Sequence, residues 1–348
     1  MTGLAGQRVI RLAGRSLIWQ PRVVLVCLGL LLACAGAGVL LLGSGTIRIA
    51  PGQVLAALTG NAPDETVNRL IGRIRLPRML TAALVGAALG MAGAVFQSLS
   101  RNPLGSPDVI GFTTGAASGA ILQIVLIGGG PAQITLSAMA SGIATAVAVL
   151  ALAYRRGAGP GGGYRLILVG IGMGALLSGI NTLLLVKGDL ERVMSAQLWL
   201  AGSLTARSWS HVWIAASGLL LLVPIVLWNA RSLALMEMGE DMARQLGLRV
   251  VRTRMVLVLA AVGLTSVATA CTGPIAFIAL GGPQIARRLT GSSGVPLVSG
   301  AITGALLLLC ADLLGQNAPL GLTMPVGLTT GFLGGLYLLV LLGFSDRR

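Results

Sequence analysis

Long apolar segments, separated by short polar or glycine- and proline-rich breaks, run along almost the whole chain. The segments are continuous rather than alternating, and many reach the roughly 18 to 20 residues that a helix needs to cross a bilayer. Because lipid offers no hydrogen-bond partner to a free backbone group, such segments must fold as helices. The pattern predicts an all-α bundle of ten transmembrane helices, at about residues 23–43, 79–99, 108–128, 133–154, 165–186, 210–228, 254–271, 273–288, 296–314 and 325–342.

The first apolar segment follows an arginine-rich start of the chain. It is too long for the core of a cleavable signal peptide, and no small-residue cleavage site lies near its end. We therefore predict a cytoplasmic N-terminal segment over residues 1–22 and one transmembrane domain over residues 23–345. The eighth segment is the least regular, since it begins at Gly273-Pro274 and Pro283 would kink a helix running through it.

Composition agrees with a membrane protein. Of 348 residues, 55% are hydrophobic and 10% are charged, whereas a soluble domain carries about 25% charged residues. The net charge of +15 does not indicate nucleic-acid binding, because the basic residues lie between the apolar segments and aromatic residues are only 4%. With ten spans and a cytoplasmic amino terminus, 17 of the 25 basic residues fall on the inner side, so the positive-inside rule predicts that both termini are cytoplasmic.

Four of the eight outer basic residues are close together in the sequence: Arg69, Arg73, Arg75 and Arg78. Such a cluster opposes the orientation rule. Either an acidic partner binds it on the outer side, or these arginines extend to the lipid headgroups from a helix end.

The longest inner connection, about residues 229–253, contains a predicted short helix. Gly239 precedes Glu240 and Asp241, whose charges favour a helix amino terminus, and Gly247 is a natural stop. The helix is amphipathic, with Met242 and Leu246 on one face and an i,i+4 pair of Glu240 with Arg244 on another. Because so short a helix is marginal alone, we expect it to dock on the bundle, on lipid headgroups or on a partner protein.

A second short helix is predicted on the outer side, over residues 195–208. Trp199 suits a membrane interface, and Gly202-Ser203 indicates a turn. In the third span, Ser106, Pro107 and Asp108 fit a helix cap, a first helical position and an acidic first turn.

The residues that catalysis or metal binding would need are scarce. The only lysine, Lys187, lies outside any Walker motif, and the only histidine, His211, has no cysteine or carboxylate at metal-binding spacing. The four cysteines lie within apolar segments. Asp312 is the one carboxylate well inside an apolar segment, and Gln316 follows one turn later and can hydrogen-bond to it. We expect a structural role for Asp312, because a proton relay needs a chain of ionisable partners.

Several motifs in order resemble the FecCD family of permeases, the membrane subunits of ABC importers for iron–siderophores, haem and cobalamin. They are RLPR, GAALGMAGAVFQ, NPLGSPDVIG, MGEDMARQLG and GPIAFIALGGPQIARRLTG, and the likeness covers about residues 20–345. The resemblance implies a type II importer permease in the cytoplasmic (inner) membrane, with no catalytic or metal site and no cofactor of its own. It implies four kinds of partner: a second, paralogous permease in a heterodimer, two ABC ATPase subunits that use ATP and Mg²⁺, a periplasmic or lipoprotein siderophore-binding protein, and membrane lipid.

The resemblance also implies roles for individual residues. Arg75 and Arg78 of RLPR would receive acidic groups of the binding protein, whereas Gln316 and Gln284 replace a docking arginine and a histidine that relatives carry. The ATPase-coupling loop, about residues 231–252, would use Glu237, Gly239, Glu240, Asp241, Arg244, Leu246 and Gly247. The translocation passage between the two permeases would be lined by Gly174, Ser178, Asn181, Thr182 and Ser203. Structural roles would fall to Asn102, Pro103, Asp108 and Asp312.

Three alternatives remain open on sequence. An ion-driven secondary transporter would need ionisable groups within the membrane, and Asp312 is the sole candidate. A membrane enzyme would need a catalytic constellation, which the sequence does not offer. Within the family, the cargo could be cobalamin or haem instead of a siderophore.

Overall fold

The computed structural model describes residues 8–12, 15–45, 47–61, 64–108, 110–155, 159–160, 162–292, 294–317 and 324–345. Helices dominate these residues. In chain order they are α1 Pro21–Gly43, α2 Pro51–Leu58, α3 Glu65–Leu70, α4 Leu76–Ser100, α5 Phe112–Leu122, α6 Pro131–Ala153, α7 Gly162–Lys187, α8 Leu190–Leu200, α9 Trp209–Trp228, α10 Ala230–Glu237, α11 Glu240–Gln245, α12 Val250–Thr272, α13 Ile278–Thr290, α14 Leu297–Gln316 and α15 Val326–Ser345.

Two π-helical turns and two small hairpins complete the secondary structure. The π-helical turn Ile71–Arg75 joins α3 to α4, and a second one, Gln123–Ile127, extends α5. Strands β1 (Arg8–Leu12) and β2 (Arg15–Trp19) pair antiparallel before α1. Strands β3 (Tyr154–Arg155) and β4 (Gly159–Pro160) pair between α6 and α7. The sequence analysis predicted neither hairpin.

The all-α membrane fold is confirmed, and each predicted span falls on a helix. Among the described residues, seven helical segments are long and apolar enough to cross a membrane, and two shorter apolar segments lie at Phe112–Ile127 and Val326–Val340. The remaining predicted span corresponds to α13, whose 13 residues reach only about 20 Å, less than the roughly 30 Å hydrocarbon core. The predicted count of ten full crossings is therefore not confirmed.

The backbone between α12 and α13 explains why the eighth segment is shorter than predicted. Residues 273–277 are not helical, and both Gly273 and Phe277 have positive φ, +77° and +75°. The Phe277 ring lies between α13 and α15. A Cβ on Gly281 of α13 or on Gly334 of α15 would lie within 3 Å of the ring. The helix therefore starts at Ile278 instead of near Gly273.

Two other boundaries also differ from prediction. The third span begins at Phe112, so that Asp108 lies in the preceding turn and not in a first helical turn. Gly111, with φ +80°, separates the two, and a Cβ there would lie 2.8 Å from the carbonyl oxygen of Gly170 on α7. On the outer side the short helix is α8, five residues earlier than predicted, and Ser203 lies in the turn after it.

Helices α4 and α12 form the centre of the bundle. In their most apolar windows 72% and 78% of residues are buried, against 17% for α1 and for α9 at the periphery. Close approach to α4 depends on glycine: a Cβ on Gly86, Gly90 or Gly93 would lie 2.5, 2.2 or 1.7 Å from a backbone oxygen of α14 or α13. These three glycines therefore allow the tight helix packing that small residues permit in membrane proteins.

Candidate functional site

Arg78, at the start of α4, forms a two-point ion pair with Asp312, near the end of α14. The Arg78 Nε and Nη2 atoms lie 3.1 Å and 2.6 Å from the two carboxylate oxygens of Asp312. The Asp312 side chain is only 2% exposed, whereas that of Arg78 is 26% exposed. Gln316 Nε2 also donates to the carboxylate at 3.0 Å, as expected from its place one turn later. The buried acid is thus paired and hydrogen-bonded.

Arg75 is held by backbone carbonyl groups within the chain. Its two terminal nitrogens donate to the carbonyl oxygens of Leu42, at 2.7 Å, and Ile47, at 2.5 Å. A cation at the end of α1 is favourable, because the carboxyl terminus of a helix carries partial negative charge. Arg75 therefore fastens the turn after α1 to α4. Arg48 and Arg73, in contrast, are exposed and have no hydrogen-bond or ion-pair partner among the described residues.

We expect Arg78→Ala to destabilise the protein by about 3 kcal/mol, the lower end of the range for breaking a buried pair, since Arg78 is partly exposed. Replacing both partners, as Arg78→Met with Asp312→Leu, should recover most of that loss, because no buried charge is left without its partner. Thermal unfolding of the purified protein measures both effects. The matched control is Arg73→Ala, in the preceding turn, which should change stability by less than about 0.5 kcal/mol. Equal effects of Arg78→Ala and Arg73→Ala would contradict the pairing.

Helices α5 and α7 line an open polar cavity of about 290 Å³. Three of the predicted passage residues line it: Ser178, Asn181 and Thr182. The Asn181 side chain is buried, and its Oδ1 atom accepts no hydrogen bond from the described residues. Thr113 and Thr114 of α5 contribute two further hydroxyl-bearing side chains to the same wall. Sequence reasoning missed these two threonines, because only the fold brings the start of α5 beside α7.

Two predicted passage residues do not line this cavity. Gly174 packs against the turn before α5, since a Cβ on it would lie 3.1 Å from Gly111 Cα. Ser203 caps its own turn, where its hydroxyl accepts a hydrogen bond from the Thr205 amide at 3.0 Å. Both therefore have structural contacts in this chain.

The turn between α4 and α5 is fixed by side-chain hydrogen bonds. Asn102 Oδ1 accepts from the Leu104 amide at 2.9 Å, and Gln284 of α13 donates to the Pro103 carbonyl oxygen at 2.6 Å. Gln284 thus has a structural contact within the chain. Asp108 lies in the same turn, and burial raises the pKa of its carboxyl from 3.8 to about 6, opposed by a hydrogen bond with the Thr113 side chain.

The loop formed by α10 and α11, which is the predicted ATPase-coupling loop, is fastened to the bundle by two ion pairs. Glu237 lies 2.8 Å from Arg287 of α13, and Glu240 lies 2.5 Å from Arg254 of α12. The predicted pair of Glu240 with Arg244 is also present, at 3.3 Å. Sequence reasoning found neither Arg254 nor Arg287, because no local pattern connects them to the loop.

The opposite side of this loop is exposed. Met238 is 71% exposed, Met242 49% and Leu246 61%, and the Asp241 side chain is 92% exposed. Positive φ angles at Gly239 and Gly247, +126° and +82°, bound α11 as predicted. Together with Arg101, the residues from Met238 to Met242 border an open groove of about 460 Å³. The loop therefore presents apolar side chains on a rigidly held base.

The FecCD transport family matches residues 28–343, nearly the whole chain. The chain belongs to the FecCD transport family. It is 47% identical over 327 residues to the ferric enterobactin transport system permease protein FepG of Escherichia coli, covering 94% of this chain and 98% of that protein. It is 34% identical to the hemin transport system permease protein HmuU of Yersinia pestis, covering 93% and 96%.

A solved structure shares the fold of this FecCD protein. A metal-chelate type ABC transporter in an inward-facing conformation superimposes with a TM-score of 0.81 and 27% sequence identity, covering 91% of this chain and 98% of that one. The predicted resemblance to the FecCD family is confirmed.

Proposed function

We propose that this chain is a permease subunit of an ABC importer that moves a ferric siderophore, of the enterobactin-like catecholate class, across the cytoplasmic membrane. The end-to-end identity of 47% with FepG carries the proposal. The polar cavity between α5 and α7 supplies one wall of a passage, and the rigidly held inner loop supplies a surface for a motor. Both termini lie in the cytoplasm, in keeping with the distribution of basic residues.

The energy comes from separate subunits. Two ABC ATPases bind ATP and Mg²⁺, and one of them docks on the α10–α11 loop of this chain through Met238, Met242 and Leu246, with Asp241 and Arg244 at the edge. Glu237 and Glu240 hold the loop on α13 and α12, so that movement of the docked ATPases is passed to the bundle. A second, FepD-like permease completes the passage opposite α7, which leaves Ser178 and Thr182 exposed in this chain.

A siderophore-binding protein delivers the cargo to the outer surface around Arg75 and Arg78. Both arginines already have partners within the chain, so an incoming carboxylate joins or replaces Asp312 at Arg78. The Arg78→Met and Asp312→Leu double variant separates docking from stability, because it removes the cation without leaving a buried charge. Weaker binding of the binding protein to this variant, with unfolding unchanged, supports docking at Arg78. Unchanged affinity would remove Arg78 from the docking surface.

Uptake by the complete importer in proteoliposomes tests the function. We expect uptake of a ferric catecholate with the cognate binding protein to require ATP and to persist with an uncoupler. Uptake by an ion-driven transporter would instead persist without ATP and stop with an uncoupler. Asp312 is a poor ion-coupling group for such a transporter, because its carboxylate is paired with Arg78. Uptake of haem in place of the catecholate would favour the second candidate cargo, which the similarity to HmuU supports.

The passage is tested by the same assay with a bulky substitution. Ser178→Phe should reduce uptake to background while the ATPases still co-purify, because the ring fills the cavity beside Asn181. Ser217→Phe is the matched control, since Ser217 is exposed on α9 away from the cavity. Equal uptake by the two variants would place the passage elsewhere.

A further inference from the structure

A second open groove, of about 490 Å³, lies on the outside of the bundle between α1, the junction of α9 with α10, and the start of α14. Its lining is almost wholly apolar and includes Val24, Leu28 and Leu31 of α1, Leu227 of α9 and Val298 of α14. Along α1 it extends from Val23 to Leu31, about 12 Å at the helical rise. The groove belongs neither to the passage nor to the ATPase-docking loop.

Two exposed arginines are direct chain neighbours of residues that line one end of this groove. Arg22 directly precedes Val23 in the lining, and Arg231 directly follows Ala230. Arg22 is fixed in place, because its Nη2 atom donates to the carbonyl oxygen of Leu289 at 3.2 Å. A guanidinium has five N–H donors, so this contact leaves most of them available to a ligand.

No acid neutralises these arginines among the described residues. Arg22 and Arg231 take part in no ion pair, and the nearest carboxylate along α10, Glu237, is paired with Arg287 at 2.8 Å. The groove thus combines an apolar channel with uncompensated positive charge at the end that carries α10 and the ATPase-docking loop. Basic pockets between membrane helices on the cytoplasmic side are typical of sites for anionic lipid headgroups.

We propose that this groove binds one acyl chain of an anionic phospholipid, whose phosphate is bound by Arg22 and Arg231. The arginines, not the groove, supply the selectivity, because an acyl chain is equally well solvated by bulk lipid. Arginine is suited to the task, since its planar guanidinium can bind a phosphate through two parallel hydrogen bonds. The placement of the site in the inner leaflet rests on the proposed orientation, whereas lipid binding itself does not.

The headgroup contact is tested by native mass spectrometry of the complete importer, purified from vesicles containing phosphatidylglycerol and phosphatidylcholine. We expect wild type to retain phosphatidylglycerol in preference to phosphatidylcholine, and the double variant Arg22→Gln with Arg231→Gln to lose that preference. The matched control carries Arg48→Gln and Arg73→Gln, two exposed arginines at the opposite end of the protein, and should behave as wild type. An unchanged preference in the Arg22 and Arg231 variant overturns the proposal.

The acyl-chain contact is tested by a phosphatidylglycerol with a photoreactive acyl chain. Cross-links should map to α1 around Leu28 and Leu31, and Val298→Trp should suppress them by filling the groove without a change of charge. Cross-links confined to other helices would overturn the proposal, as would protection of Cys27, at the groove wall, by a second permease subunit in the assembled importer. Neither readout depends on transport, so failure of the lipid site and failure of the proposed cargo are distinguishable.

Discussion

Replacing Met242 and Leu246 with glutamate is expected to abolish ATP-driven uptake and to remove from the purified complex the ATPase subunit that docks on this chain. Both side chains are about half exposed or more, on the face of α11 that points away from the bundle. If they fill an apolar pocket of the ATPase, each new charge is buried without a partner. A loss of about 2 kcal/mol at each interface position corresponds to roughly 30-fold weaker binding of the ATPase that docks on this chain.

Co-purification of the ATPases with tagged permease measures this effect directly. The matched control is Leu58→Glu, an exposed apolar residue on α2 near the Arg75 end of the protein. That variant should retain its full complement of ATPase, because its new charge faces the other side of the membrane. Full ATPase content in the Met242 and Leu246 variant would show that the motor docks elsewhere.

Exchanging Glu240 and Arg244 tests how the loop is held on the bundle and not how it contacts the ATPase. Swapping Glu240 and Arg244 preserves their mutual pair but removes from Arg254 the carboxylate that lies 2.5 Å away. The Arg254 side chain is only 4% exposed, so this swap loosens the base of the loop as well as altering its surface. Weaker co-purification of the ATPase after the swap would therefore indicate that the position of α11 on the bundle matters. Weaker co-purification after the substitutions at Met242 and Leu246 would indicate that these two side chains contact the ATPase.

Gly90→Leu is expected to prevent folding. A Cβ at this position would lie 2.2 Å from the carbonyl oxygen of Gly300, and backbone cannot move aside as a flexible side chain can. The backbone of α4 approaches α14 just as closely, since a Cβ on Gly304 of α14 would lie 2.3 Å from the carbonyl oxygen of Gly86 on α4. Helices α4 and α14 would have to separate along their whole interface, at a cost above the roughly 3 kcal/mol that ordinary overpacking reaches.

Gly36→Leu provides the control for this prediction. Gly36 lies on α1, and a Cβ there would meet no atom within 4 Å, so the added side chain simply faces lipid. The yield of monodisperse protein in size-exclusion chromatography and its thermal unfolding compare the two variants. Similar yields and unfolding temperatures would show that α4 and α14 are not locked together as the structure indicates.

The approximate position of each apolar helix, the glycine turns of the α10–α11 loop and the family can be read from the sequence alone. Continuous apolar runs specify membrane helices because the backbone must satisfy itself in lipid, and Gly239, Gly247 and Gly202 mark turns through their positive φ. Such signals are local, so they can be found without knowing what lies beside them. The helical spacing of Gly86, Gly90 and Gly93 likewise indicates close packing, although it does not indicate which helices meet α4.

Which side chains come into contact depends on the tertiary structure and cannot be read from the sequence. Arg78 and Asp312 are 234 residues apart, and Glu237 and Arg287 are 50 apart, so no periodicity links them. The same is true of Thr113 and Thr114, which join the cavity because α5 packs on α7. The physical reason is that helix formation depends on neighbours along the chain, whereas ion pairs, cavities and the shortened α13 depend on where separate helices come to lie against one another.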